Sequence, residues 1–395
     1  MTTRVLDRFS GWNDNLRSLI MEQYQKALKS LCEGARTLTI DGLEIEVRNC
    51  SDRIEGRLDP RSALIFSLKR EEFERNFNSY DKELWPNGIH IFGPRNTENR
   101  TNLEIYRASF GWKSNDLSRN VHASYFCVPS KWGPVLVYKY KAANQKESSP
   151  CLVFFHGGGF FAGDTETVEN QCKLIAERAG VLVLSVDYPL APENPFPIGF
   201  DCCYAVLEYV HANADMLGID GTKICVSGDS AGGNLAVVCA LRNRDENRWP
   251  LAYMALIYPT LSRAEKPGDP HWYWDASLYN NPENDPVISL QSGRSSKHSK
   301  ELNGWYIPAG MDMYYPYLSP IAGSPERLPR TLIITAEYDF LRIGCEEYTR
   351  MLKKAGVPCR HIRYGGITHA TFDRLGYAPQ AEDMVQEIVK DLNSL

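Results

Sequence analysis

The stretch Lys223-Ile224-Cys225-Val226-Ser227-Gly228-Asp229-Ser230-Ala231-Gly232-Gly233-Asn234 decides how this chain is read. Its first four residues have the apolar texture of a short buried strand, and Leu235 to Leu241 behind it have that of a helix. Gly228-Asp229-Ser230-Ala231-Gly232 between them therefore fits Gly-x-Ser-x-Gly in a strand–turn–helix setting. A serine on so sharp a turn needs small neighbours, because two backbones must approach closely and strained dihedrals must be tolerated. The helix that follows brings backbone N–H groups and a positive dipole end to any oxyanion formed beside the serine. The motif alone recurs in many proteins, so its partners carry the argument.

Working outward, strand-like and helix-like segments alternate. The strands are Cys151 to Phe155, Val181 to Val186, Thr222 to Val226, Leu251 to Tyr258, Thr331 to Ala336 and Arg360 to Tyr364. Helical patterns occupy 167–179, 200–212, 231–243, 341–355 and 379–393. Near-continuous apolar strands alternating with helices predict an α/β fold, with a mostly parallel central sheet covered by helices on both faces. Ahead of them, Tyr125 to Val128 and Val135 to Tyr140 predict a hairpin. Roughly 70 residues separate the strands at Tyr258 and Thr331, far beyond an ordinary connection. That insertion is rich in aromatics, among them Trp272, Tyr273, Trp274, Tyr279, Trp305, Tyr306 and Tyr314. It is an inserted subdomain with its own small core, a lid lining a substrate pocket, or a mixture of both. Ser292 to Lys300 within it is polar and basic and is expected to be a loop.

At the N-terminus, Leu16, Leu19, Ile20, Tyr24, Leu28 and Leu31 have helical spacing behind Ser10, a candidate N-cap. Thr37 to Ile40, Asp41-Gly42 and Leu43 to Val47 predict a tight hairpin. Residues 51–118 are polar, with Arg70-Glu71-Glu72-Phe73-Glu74-Arg75 read as a solvated helix face, and show no chemistry. The expected organisation is an N-terminal extension and cap region over 1–118, a first core part over 119–260, a cap insertion over 261–328 and a second core part over 329–395. The extension either covers the site or builds a homodimer contact.

Bulk properties narrow the function. A chain of 395 residues with formal net charge −5 carries no polyanion-binding signature, so no nucleic-acid partner is expected. Charges at Met1 to Arg8 fill the place where a signal peptide needs an apolar core, and no apolar run reaches membrane-spanning length. No stable membrane insertion and a cytoplasmic location are therefore expected. Eleven scattered cysteines without paired spacing read as small core residues, which suits a reducing compartment and gives no metal site.

Acyl transfer needs a nucleophile, a base, a group that orients the base, and oxyanion donors. His156-Gly157-Gly158-Gly159 directly follows the strand Leu152 to Phe155, and glycines there let a loop turn N–H groups inward. Such a loop supplies the oxyanion hole of lipases and esterases together with the N–H after the nucleophile. The candidate donors are Gly158, Gly159 and Ala231, with His156 and Gly157 supporting the loop. Of eight histidines, His369 follows a strand through what reads as a glycine-containing loop, Tyr364-Gly365-Gly366-Ile367-Thr368. Asp339 has the place of the orienting acid after the strand Thr331 to Ala336, with Glu337 its close competitor. Asp229 is read as a structural carboxylate beneath the turn.

The order Ser230, Asp339, His369 is that of the α/β-hydrolase fold. His156-Gly157-Gly158-Gly159, Gly228-Asp229-Ser230-Ala231-Gly232-Gly233-Asn234, Asp339 and His369 resemble the hormone-sensitive-lipase-like branch, the bacterial family IV carboxylesterases. Asp187-Tyr188-Pro189-Leu190-Ala191-Pro192-Glu193-Asn194-Pro195-Phe196-Pro197 extends the likeness, which runs from about 120 to 392. Pro189, Ile343 and the segment His369-Ala370-Thr371-Phe372 depart from that branch's usual pattern. The resemblance implies a serine carboxylesterase acting on short- to medium-chain esters through an acyl-enzyme, without cofactor. The same site suits an amide, a lactone or an acetylated sugar. A non-catalytic ligand receptor on this fold would have a disabled triad, whereas all three candidates are present.

Overall fold

The computed structural model describes residues 14–67, 102–294 and 296–395. Ser10 and the segment Arg70 to Arg75 lie outside them. Among the described residues ten strands form one sheet in the order β1-β2-β10-β9-β8-β7-β5-β6-β4-β3. They are β1 (Arg36–Ile40), β2 (Leu43–Arg48), β3 (Val121–Ser130), β4 (Gly133–Ala142), β5 (Ser149–Phe155), β6 (Leu182–Asp187), β7 (Ile219–Asp229), β8 (Tyr253–Ile257), β9 (Arg330–Tyr338) and β10 (Cys359–Thr368). Every pair from β2 across to β6 is parallel, while β1–β2, β4–β6 and β3–β4 are antiparallel. The mostly parallel sheet and the α/β-hydrolase fold expected from sequence are present.

Among the described residues the helices longer than one turn are α1 (Asp14–Glu33), α2 (Asn102–Ser109), α3 (Glu169–Ala179), α4 (Ile198–Ala212), α5 (Ala231–Asp245), α6 (Pro286–Ser292), α7 (Ser296–Tyr306), α8 (Arg342–Lys354) and α9 (Pro379–Leu392). Successive side chains of a strand point to opposite faces, and β5 divides its apolar residues accordingly. Cys151, Val153 and Phe155 pack with α4, α5 and α8, whereas Leu152 and Phe154 pack with α1, α3 and α9. Strands buried on both sides have no polar face to spare, which is why they read as unbroken apolar runs.

The early hairpin has a use that its own sequence does not announce. Asp41-Gly42 turns β1 into β2 with Ile40 opposite Leu43, and β2 then extends the sheet beyond β10. Leu43, Ile45 and Val47 are buried there.

Two expectations need correction. Ser292 to Lys300 is not a loop throughout, because α7 begins at Ser296. The reason lies further along: Leu302 and Trp305 pack against the core and Tyr306 is buried, so the tertiary contact continues the helix despite its polar start. Gly365 and Gly366 lie inside β10 rather than in a loop after it. There Tyr364 faces Ala336 but Thr368 faces Tyr338, so the strand bulges across the glycines.

Candidate active site

Four segments converge at the C-terminal ends of parallel strands, the usual location of ligands on such sheets. His156 follows β5, Ser230 follows β7, Asp339 follows β9 and His369 follows β10. The register between neighbours sets their spacing: Phe155 faces Gly228, and Tyr338 faces Thr368.

Ser230 has φ 54° and ψ −114°, a strained backbone for a residue with a side chain. The ladder holds it: its N–H donates to Ile257 O at 2.9 Å, and its own carbonyl accepts from Thr260 N at 3.1 Å. A Cβ on Gly232 would stand 1.9 Å from Phe155 O, which is why that position must be glycine for the turn to close. His369 Nε2 lies 2.9 Å from Ser230 Oγ and Nδ1 lies 2.7 Å from Asp339 Oδ2. A carboxylate only accepts, so the proton belongs on Nδ1, leaving Nε2 to accept from the serine hydroxyl. Asp339 is fully buried and also accepts from Leu341 N at 2.9 Å. Burial alone would disfavour the imidazolium, but the Asp339 carboxylate, helped by Asp229 and Asp373, holds the His369 pKa above its ordinary 6.5.

The glycine loop is tied to the elbow from below. Asp229 Oδ1 accepts from Gly157 N at 2.8 Å, and burial pushes this carboxyl well above the usual carboxylate range. A Cβ on Gly157 would meet Asp229 Oδ2 at 2.2 Å. Gly158 and Gly159 follow with φ of 125° and 66°. His156 Nδ1 lies 2.8 Å from Gly157 O, and its ring stacks on Tyr188 at 4.3 Å. Burial lowers its pKa to about 4, so it is a neutral ring. Glu337 is turned away from His369, accepting from Arg53 at 2.6 Å and from Gly366 N at 2.7 Å.

Sequence reading missed three contributors, all in the stretch it took to be without chemistry. Arg53 reaches Glu337 beside the β10 bulge, and Asp59 N–H donates to Gly366 O at 2.7 Å. Arg107, on α2, donates to the carbonyls of Phe161 and Ala191 at 2.6 and 2.7 Å and to both oxygens of Glu193. Its pattern of acceptors spans residues distant in sequence, so no local signal could reveal it. From the insertion, Tyr279 O–H donates to Asp339 O at 2.8 Å, and Tyr306 stacks on Phe160 at 3.9 Å. Among the described residues, Cys50, Asp52 and Asp59 have metal-ligand types within 4.8 Å, but Arg61 donates to both carboxylates and is the cation there.

Residues 152–373 match the profile of a family described as alpha/beta hydrolase fold. The chain belongs to that family. Its likeness to the hormone-sensitive-lipase-like branch stands with the match. Esterase LipI of Mycobacterium tuberculosis is 32% identical over 258 residues, 64% of this chain and 75% of LipI. Carboxylesterase NlhH of the same organism is 35% identical over 231 residues, 57% of this chain and 65% of NlhH. Among solved structures, a hyperthermophilic esterase from Pyrobaculum calidifontis aligns with TM-score 0.64 and 28% identity, covering 86% of this chain and 98% of that one.

Proposed function

We propose that this chain is a serine carboxylic ester hydrolase in which Ser230, His369 and Asp339 act as nucleophile, base and orienting acid. The carrying observation is the relay Ser230 Oγ, His369 Nε2 and Nδ1, Asp339 Oδ2, at 2.9 and 2.7 Å. His369 takes the hydroxyl proton as Ser230 attacks the ester carbonyl. The N–H groups of Gly158, Gly159 and Ala231 receive the oxyanion, a term worth about 3 kcal/mol per donor. His369 then protonates the departing alcohol, and water repeats the sequence on the acyl-enzyme. Short- to medium-chain esters are the proposed substrates, and neither metal nor organic cofactor has a step to perform. Relatives named esterase and carboxylesterase support the ester bond as the target. No helix among the described residues is long and apolar enough to cross a membrane.

Hydrolysis of p-nitrophenyl acetate tests this directly. Ser230→Ala should lower kcat by about 10⁴-fold or more, with the folded state intact by circular dichroism. Equal, background-level turnover by both proteins would sink the proposal.

A further inference from the structure

Two guanidiniums beside the glycine loop and the insertion make no ion pair within 4.0 Å among the described residues, although Glu265 attracts Arg263 and Asp269 attracts Arg294 from further off. Arg263 lies three residues beyond Thr260, whose N–H binds the Ser230 carbonyl at 3.1 Å. Its guanidinium carbon sits 5.5 Å from the ring centroid of Phe160, the residue after Gly159. The backbone N–H of Arg263 donates to Ser319 Oγ at 2.9 Å, and its guanidinium lies against the wall of the glycine loop. Arg294, between α6 and α7, stacks over Trp272 at 4.5 Å and donates to Ala264 O at 2.8 Å, the residue next to Arg263. Its charge reaches Tyr279, whose hydroxyl holds the Asp339 carbonyl.

Each guanidinium has five N–H donors. Arg263 uses one nitrogen on Asn303 Oδ1 and Arg294 one on Ala264 O, and both Nε atoms are buried without a partner. Neither forms an ion pair with a carboxylate among the described residues. Glu265 accepts from Asn303 Nδ2, and Asp269 accepts from the Tyr314 hydroxyl. Three other buried arginines meet carboxylates: Arg48 meets Asp383, Arg53 meets Glu337 and Arg363 meets Glu346. Burial pushes the pKa of Arg263 and of Arg294 down to about 10, and the two cations repel each other. Desolvated like charges with unused, fork-shaped donors are costly unless an anion completes them.

We propose that Arg263 and Arg294 bind a carboxylate carried by the substrate, so that the preferred substrates are anionic esters such as half-esters of short dicarboxylic acids. This rests on the hydrolase reading above. Arg263 stands beside the glycine loop, and Arg294 answers from the insertion, so the pair reads a group a few bonds from the scissile carbonyl. The rings of Phe160 and Trp272 lie 5.5 and 4.5 Å from the two guanidinium carbons, and the planar fork that they support is the shape that pairs bidentately with a carboxylate.

The test compares each carboxylate-bearing ester with its own methyl ester. One arm uses p-nitrophenyl hydrogen glutarate, which carries the charge on the acyl side. The other uses p-acetoxybenzoate, which carries it on the leaving group. In at least one arm wild-type kcat/KM should favour the anion by about tenfold or more, as charge-assisted hydrogen bonds do. Arg263→Gln and Arg294→Gln should each collapse that ratio, which is internally normalised against changes in the amount of folded enzyme. A ratio at or below one in both arms, or one that survives both substitutions, overturns the proposal. Should the variants not fold, wild-type protein alone decides: glutarate must inhibit p-nitrophenyl butyrate hydrolysis competitively where glutaramide does not, and equal inhibition overturns it. Calorimetric binding of glutarate to Ser230→Ala separates the two readings, because failure of the serine mechanism leaves that binding in place.

Discussion

At the scale of single residues, the site is governed by charge and by backbone space. His369 must be neutral to accept the Ser230 proton, and its pKa is held above 6.5 by neighbouring carboxylates. The imidazolium therefore persists to higher pH than for a free histidine, and kcat/KM should fall with falling pH around an inflection above 6.5. Asp339→Asn should move that inflection down and cost about 10⁴-fold in kcat. Glu337→Gln should leave kcat within a few-fold, since Glu337 faces Arg53 and Gly366 instead. Equal losses in the two variants would reverse the assignment of the acid. Gly158→Ala puts a Cβ 1.9 Å from Ala162 O at a φ of 125°, so the loop must shift and take its N–H with it. A loss of about 10²- to 10³-fold in kcat is expected. The residues proposed for these roles stood out in the sequence because each answers a local necessity: a small residue where backbones touch, or a polar residue just past an apolar strand.

At the scale of elements, the loops that carry the site are braced by segments far away in sequence. Arg107 pins α2 to the loop after Gly159 through the Phe161 carbonyl and to the segment after β6 through the Ala191 carbonyl, and Tyr106 adds an edge contact with Phe161 at 4.9 Å. Its Glu193 partner is more than half exposed, so the ion pair itself adds below about 1 kcal/mol. The Arg107 guanidinium beside it holds Glu193 near 2 in pKa. A depressed carboxylate stabilises the fold above its ordinary 4.5 and loses that contribution as pH falls through about 2. Arg107→Met should hence lower kcat by about tenfold while Glu193→Gln changes it little, because the carbonyl contacts position the loop and the exposed charge does not. Steady-state kinetics of both variants at neutral pH checks this. On the other flank, Asn49 and Arg53 stand where any Cβ on Gly365 would fall, and Asp59 holds Gly366. The glycines before His369 were visible as a loop signal, but only the docked N-terminal segment shows that they form a bulge within β10.

At the scale of the whole molecule, the N-terminal strands and the last helix are joined by buried charge. Arg48 of β2 is 4% exposed and reaches Asp383 and Glu387 of α9 at 2.7 and 2.9 Å. Asp383 also accepts from Tyr364 O–H at 2.7 Å. Removing the cation leaves a buried carboxylate facing a phenol and a thiol, so Arg48→Met should cost about 3–5 kcal/mol by urea denaturation. A loss within 1 kcal/mol, on the order of a surface substitution, would show the hairpin to be a passive addition to the sheet. The sequence by itself determined the alternation of strands and helices, the strained serine turn, the glycine loop and the chain order Ser230, Asp339, His369. Those features follow from periodicity, steric need and chain direction, all of which act over a few residues. Only the tertiary structure decided that the first hairpin completes the sheet, that α7 continues through a polar stretch, and which of two neighbouring carboxylates faces His369. It also decided that Arg263 and Arg294 approach each other with no carboxylate in ion-pair contact among the described residues. Such pairings depend on which distant side chains the fold brings within a few ångströms, and a charge carries no mark in the sequence of the partner it will find.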